Sequence, residues 1–315
     1  MRSIRSPAFV CGCKPRNGVI FGFALASVAG LVLCSVVNFF RSILFAGFIA
    51  TTAVAAPLRI VTTFYPLQIA ALNVGGTAPD VTVASLTPPV AGCLHDYQLT
   101  PADLARLARA DVLIVNGVEL EPFLDKMRGS AAHAKMIEAS AGIELLNGNP
   151  HVWGSPTLAA RQVEHIGVEL ARLDPERAEI YRHNTAAYVT RLRVLAEKMR
   201  AGLQDLPARD IITFHDAFRY FSREFGFHVV AVVEREPGAE PSARELADTI
   251  ALVRQKKVRA LFIEPQYPAR SADVIARATG AKIAVLDPAV SGPVAPDAYL
   301  RIMERNLMEL RRALQ

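Results

Sequence analysis

Residues 157–202 read TLAARQVEHIGVELARLDPERAEIYRHNTAAYVTRLRVLAEKMRAG. Nothing here alternates with the period of two that a half-buried strand requires. Apolar side chains instead recur at helical intervals: Val163, Ile166, Leu170 and Leu173, then Tyr188, Leu192, Leu195 and Met199. The single interruption is LDPE at 173–176. The stretch predicts one long helix, or two joined at Asp174-Pro175, of about 45 residues and roughly 65 Å at 1.5 Å per residue. A rod longer than either flanking region divides the chain.

On both sides, short apolar runs alternate with helical patterns. Before the rod, LRIVTTF (58–64), DVTVASL (80–86), DVLIVNG (111–117) and GIELL (142–146) read as buried strands. Pro66–Val74, Pro101–Arg109 and Glu119–Arg128 read as the helices between them. After it, DIITF (210–214), HVVAVV (228–233), RALFI (259–263) and KIAVL (282–286) are strands. Asp216–Phe225, Ser242–Lys256, Ala269–Thr279 and a closing Pro296–Leu314 are helices. Repeated strand–helix units imply mostly parallel sheets covered on both faces. The fold class is therefore α/β, with two lobes, 57–160 and 205–315, bridged by a long rigid linking helix at 161–204.

The first 55 residues stand apart. They hold Arg2, Arg5, Lys14, Arg16 and Arg41, no acids, and two apolar runs, Val19–Val37 and Phe39–Ala56. The second run ends in small residues at Ala53-Val54-Ala55, the layout of a secretory signal cleaved before Ala56. The first is long enough for a membrane anchor; a natural start near Val37 is the other explanation for two adjacent runs. The whole chain carries 35 basic and 30 acidic residues, a formal +5. Without the five leader basics the remainder is formally neutral, so no basic patch argues for nucleic acid. Cys11, Cys13 and Cys34 fall in the leader and leave Cys93 alone. That excludes a disulfide framework or a cysteine zinc cluster in the folded part.

In open parallel sheets, ligands bind beyond the carboxyl ends of the strands. His215 follows DIITF, Glu264 follows RALFI, Asp287 follows KIAVL, His95 lies after DVTVASL and His151 after GIELL. Each has a plainer explanation: a hydrogen-bonded loop histidine, or an acid before proline that starts a turn. His133, His165, His183 and His228 belong to that plainer class. Converging imidazoles with a carboxylate would form an N₃O site suited to Zn²⁺, and also to Mn²⁺ or Fe²⁺. Cys93 reads as a small loop filler, with a reactive thiol or a ligand as the alternatives. No G-x-G-x-x-G, P-loop, H-E-x-x-H or G-x-S-x-G is present.

These residues sit in fragments that resemble the periplasmic solute-binding proteins of zinc and manganese ABC importers, the cluster A-I family. The fragments are RIVTTFYPLQIAALNVGG (59–76), HDYQLTPADLARLARADVLIVNGVELEPFLDK (95–126), NPHVWGSP (149–156), ITFHDAFRYFSREFGF (212–227), EPGAEPSARELADTIALVRQKKVRALFIEPQY (236–267) and TGAKIAVLDP (279–288). Together they cover nearly all of 58–315, in the family's order. The resemblance implies two α/β lobes on a rigid backbone helix with metal between them, and His95, His151 and His215 as ligands. His as the third ligand favours zinc over manganese. Asp287 is the first choice for the fourth position and Glu264 the second. Three departures stand out: Cys93-Leu94 where Asp-Pro is common, Leu99 where Pro is expected, and a short region 128–149 with one histidine where many zinc members carry a His-rich loop.

The function so implied is capture and delivery of a divalent ion, Zn²⁺ first, to an ABC permease, by a monomeric periplasmic protein that is not an enzyme. Affinity should fall as the pH drops below about 6.5, where imidazoles protonate. Asp96 and Asp216, beside two candidate ligands, either orient rings or helix starts or are merely solvated. The alternatives are a Mn²⁺ or Fe²⁺ carrier, a surface adhesin of the same fold, or a zinc hydrolase with Glu264 as its base.

Overall fold

The computed structural model describes residues 56–94, 97–123, 125, 133–234 and 240–315. The leader, with its expected cleavage site and anchor, lies outside the described residues. No described helix is long and apolar enough to cross a membrane.

The first sheet contains β1 (Leu58–Thr62), β2 (Val81–Ser85), β3 (Val112–Val115) and β4 (Lys135–Glu138), all parallel, in the order β2-β1-β3-β4. The second contains β5 (Asp210–Thr213), β6 (His228–Val232), β7 (Ala260–Ile263) and β8 (Lys282–Val285), parallel in the matching order β6-β5-β7-β8. In each, the chain moves from the central strand to one side, then returns to the other. The crevice between β1 and β3, and that between β5 and β7, is therefore the place where crossing helices part and a ligand can enter.

Helices cover the sheets as the apolar periodicity requires. They are α1 (Tyr65–Gly75), α2 (Pro101–Leu107), α3 (Pro156–Leu173), α4 (Ala178–Leu203), α5 (Arg219–Phe225), α6 (Ala243–Lys256), α7 (Arg270–Thr279) and α8 (Ala298–Leu314). Thr100 with Asp103, and Ser242 with Glu245, close reciprocal capping boxes at the starts of α2 and α6. Gly226 and Gly280 end α5 and α7 in the left-handed conformation.

Three expectations need correction, the first only in part. The rod is two helices joined at Asp174-Pro175, one of the two forms expected, but they pack side by side and not end to end. Pro175 has no N–H to continue α3, and the Asp174 carboxylate accepts hydrogen bonds from Arg177 (2.8 Å) and Tyr181 (2.6 Å) in a buried corner. The chain turns there, so that Glu164 of α3 pairs with Arg193 of α4, and Gly167 lies so close to Thr185 that a Cβ would overlap its hydroxyl. α4, 26 residues and about 39 Å long, serves both lobes; it packs on α1 from one and on α5 and α8 from the other.

The fourth strand of the first lobe is Lys135–Glu138, and not GIELL. Ile143, Leu145 and Leu146 instead join Val152, Leu158 and Tyr220 in a satellite cluster, with Leu146 N–H donating to the Tyr220 hydroxyl at 2.9 Å. Residues 118–119 form a turn with Val118 and Glu119 at positive φ, so the expected helix does not begin at Glu119. Residues 124 and 126–128 of that expected helix lie outside the described residues.

The main core runs unbroken from Ile60 and Ile114 through Leu192 and Met199 to Phe262 and Leu310, joining both lobes. A separate cluster of Ile212, Leu261, Val253 and Ile275 lies against α6 and α7. Hydrogen bonds also stitch the lobes: Trp153 Nε1 donates to Pro288 O (2.9 Å), the Tyr299 hydroxyl to Trp153 O (2.7 Å) and the Tyr65 hydroxyl to Pro293 O (2.8 Å).

A candidate metal centre between the sheets

His215 stands at the carboxyl end of β5, two residues past Thr213, and is buried. Its Nδ1 lies 3.0 Å from Glu264 Oε1, which comes from the end of β7 across the crevice. Glu264 is 2 % exposed, and its other oxygen accepts from Gln266 Nε2 at 2.9 Å. A carboxylate oxygen only accepts, so Nδ1 carries the proton and Nε2 offers its lone pair.

His151 reaches the same place from the first lobe, just before the short helical turn Val152–Gly154. Asn149 Oδ1 sits 3.0 Å from His151 N and 3.1 Å from His151 Nδ1. The backbone N–H must donate, which fixes that atom as oxygen and leaves Nε2, on the Cys93 side, as the ring's acceptor. Asn149 Nδ2 donates to Asp216 O (2.7 Å) and Asp216 Oδ2 (3.2 Å), and the Tyr220 hydroxyl donates to Asn149 O (2.6 Å). The support of the first-lobe imidazole is thus anchored in the second lobe, beside His215. The two rings meet edge to face with centroids 4.7 Å apart.

Cys93 completes the group. Its sulfur is 3.3 Å from His151 Nε2, and the ligand atoms of Cys93, His151 and His215 all lie within 4.8 Å of one another. A thiol against an imidazole is chemically either a metal-ligand pair or a nucleophile with its base. The second imidazole has no part in a nucleophile pair and favours the metal.

Of the residues expected here, His151 and His215 are brought together. His95 and Asp96 lie outside the described residues. Glu264 belongs to the Nδ1 side of His215 and is not in the convergent group. Asp287 is not in it either: Asp287 Oδ1 accepts from Ala289 N (2.8 Å), and the backbone of Asp287 is clamped by the Asn306 amide. Burial pushes the Asp287 carboxyl up, and the charge of Glu264 adds to it, while the Ala289 N–H and Arg305 oppose. Asp216 bonds Asn149 and Arg219 and so supports a ring indirectly. His228 pairs with Asp210 at the far end of the second sheet, and His133, His165 and His183 lie outside the group.

Sequence reasoning missed three residues and ranked a fourth low. Cys93, read first as a loop filler with a ligand as an alternative, sits among the imidazoles. Asn149 had a readable signal, standing two residues before His151 across a proline. Glu234, buried just after β6, gives the second sheet another acid at its carboxyl edge beside Glu264 and Asp287, a cation-attracting rim. Tyr267 had no signal. Its hydroxyl would lie 3.3 Å from a Cβ at Gly92, whose φ of +76° suits glycine. Burial pushes that hydroxyl up, with the charges of Glu264, Cys93 and Glu234 adding.

The family profile "ZnuA: Zinc-uptake complex component A periplasmic" matches residues 60–313. The chain is similar to the high-affinity zinc uptake system protein ZnuA of Bacillus subtilis, 30% identical over 287 residues covering 82% of this chain and 88% of that one. Among solved structures, it superposes on a crystal structure of ZnuA with a TM-score of 0.74 at 31% identity, covering 82% of this chain and all (100%) of the other. It likewise matches the solute-binding protein FpvC from Pseudomonas aeruginosa in complex with Mn²⁺, with a TM-score of 0.75, 34% identity, and coverage of 82% and 98%.

Proposed function

We propose a function from the premise that the chain belongs to the family of periplasmic A components of zinc-uptake complexes. It captures one divalent transition-metal ion, zinc first, between its lobes and hands it to the permease of an ABC importer. The ion is cargo, held by His151 and His215 with His95, and Glu264 orients His215; Asp287 is the fourth ligand expected from the sequence. The observation that carries this reading is the pair of imidazoles, one from each lobe, whose Nδ1 atoms are both held by acceptors. Such fixing aims each Nε2 at the same place between the lobes.

Capture needs no bond-making. The imidazoles must be neutral to bind, so metal uptake competes with protons. Glu264 is engaged at both oxygens, which suits an orienting group better than a hydrolytic base. With α4 shared by both lobes and the core continuous between them, release proceeds by small tilts and loop shifts rather than a wide hinge. The relatives named for zinc uptake and solved with Mn²⁺ set the competing cargoes. The Irving–Williams order places zinc above manganese at such donors.

The experiment is a titration of metal-free protein with zinc and with manganese, read by calorimetry and elemental analysis. One zinc per chain, displacing manganese, is expected. Absence of any stoichiometric metal would overturn the proposal.

A further inference from the structure

We infer that Cys93 is itself a ligand of the captured ion, and that its sulfur takes the fourth position in place of the Asp287 carboxylate. The inference rests on the capture reading above and refines its ligand set.

Geometry carries it first. A zinc ion with a sulfur at about 2.3 Å and an imidazole nitrogen at about 2.0 Å, at a tetrahedral angle, separates those two donors by roughly 3.5 Å. Cys93 Sγ and His151 Nε2 are 3.3 Å apart, the edge of such a tetrahedron. His215 offers its ligand atom within 4.8 Å of both, so one ion reaches all of them with small shifts. Neither carboxylate joins that group. Asp287 is engaged by the Ala289 N–H, and Glu264 by His215 and Gln266.

The loop that bears Cys93 is held in place from the second lobe. Tyr267 rests on Gly92, a position where a Cβ would crowd its hydroxyl and where φ is +76°. The Cys93 N–H also faces that hydroxyl. Beside it, Gln266 Oε1 is buried with no donor among the described residues. A buried acceptor without a donor is what a nearby cation or its water satisfies.

Coordination is balanced simply: the thiol proton leaves to solvent as the sulfur–metal bond forms, and no electron moves. Its consequence is selectivity. Thiolate is a soft donor that suits zinc and disfavours manganese, whose preference is for carboxylate and water.

The test uses the full chain with Cys11, Cys13 and Cys34 changed to Ser, leaving Cys93 as the sole thiol. Loaded with Co²⁺, this protein should show a near-ultraviolet sulfur-to-cobalt charge-transfer band with its visible ligand-field bands. C93S should lose the first and keep the second. Zinc-edge X-ray absorption should find one sulfur at about 2.3 Å, a readout that needs no variant at Cys93. In competition, C93S should narrow the preference for zinc over manganese by on the order of tenfold. Ligand-field bands without charge transfer, or an absorption spectrum with only nitrogen and oxygen neighbours, would overturn the inference and leave histidine capture standing. Failure to bind cobalt or zinc at all would overturn both.

Discussion

The two sheets share one strand order, yet their entry crevices are filled differently. In the first lobe the crevice between β1 and β3 is occupied by Glu121. Its carboxylate accepts from the Thr63 hydroxyl (2.7 Å) and Asn116 N–H (2.7 Å) on one oxygen and from Gly117 N–H (3.1 Å) on the other. Burial pushes that carboxyl up and the three donors oppose it. The acid is locked into the scaffold by these donors. In the second lobe the equivalent crevice holds His215 on Glu264, and His215 is grouped there with His151 and Cys93. The same architecture thus gives one sealed crevice and one armed crevice. The sealed lobe contributes to the site from loops instead, through His151 and the Cys93 segment.

The strongest way to break this comparison is to remove one ligand from each lobe. His215→Ala and His151→Ala should each cost more than about 100-fold in zinc affinity, because loss of a ligand exceeds the 10- to 100-fold typical of its supporting groups. Isothermal titration checks it. Should either variant bind as tightly as wild type, that lobe is not part of the site.

The two crevice acids should then separate cleanly. Glu264→Gln should lower zinc affinity by about 10- to 100-fold, since the amide sets the wrong acceptor pattern on His215. Glu121→Gln should leave affinity alone and cost roughly 1–3 kcal/mol of stability in urea unfolding, because an amide N–H₂ would face the Asn116 and Gly117 donors. Equal effects of both changes on metal binding would dissolve the distinction.

Gly167 tests what the lobes share. Adding a Cβ there forces α3 from α4 at Thr185, which should cost about 1–3 kcal/mol. Thr185→Ala in the same chain should restore part of it. Independent, additive losses would mean the helices do not meet as described.

The smallest effect concerns acid stability, and it sits in the sealed lobe. Asp103 is pushed up by burial, but the Thr100 N–H and hydroxyl, the Tyr97 hydroxyl and Arg106 outweigh this and hold its carboxyl below the usual value. A depressed folded pKa adds stability above the unfolded value of about 3.9, and that stability is lost as the pH falls through the lower folded value. Asp103→Asn should therefore cost about 1 kcal/mol near neutrality and less at the acid end, as thermal melts across pH would reveal. A constant difference at every pH would assign the loss to packing alone.

Much of this was legible from residues. Strand–helix alternation survives in a single sequence because most strands are short apolar runs and several helices have a proline or a capping residue at their start, as at Pro101 and Ser242. The position of His215 follows from the rule that ligands sit beyond strand ends. His151 is expected after a GIELL strand that does not form, and it reaches the group from the loop before Val152–Gly154. What was not legible depends on partners distant in the chain. GIELL has a strand's composition, but its leucines pack around Tyr220, 74 residues beyond Leu146. The break at Asp174-Pro175 was visible, whereas the fold-back of α3 on α4 needed the Gly167–Thr185 contact. Glu121 reads as an ordinary helical acid until the ends of β1 and β3 supply its donors. Cys93 lacks any motif, and the approach of His151 from 58 residues away is visible only in the folded chain.

Crystals of the zinc-loaded protein, measured on both sides of the zinc absorption edge, address the account most directly. A single strong anomalous peak should lie about 2.0–2.1 Å from the Nε2 atoms of both His151 and His215, bridging the lobes. A peak bound to one lobe alone, or an ion on the surface with these two rings turned away from it, would contradict the account.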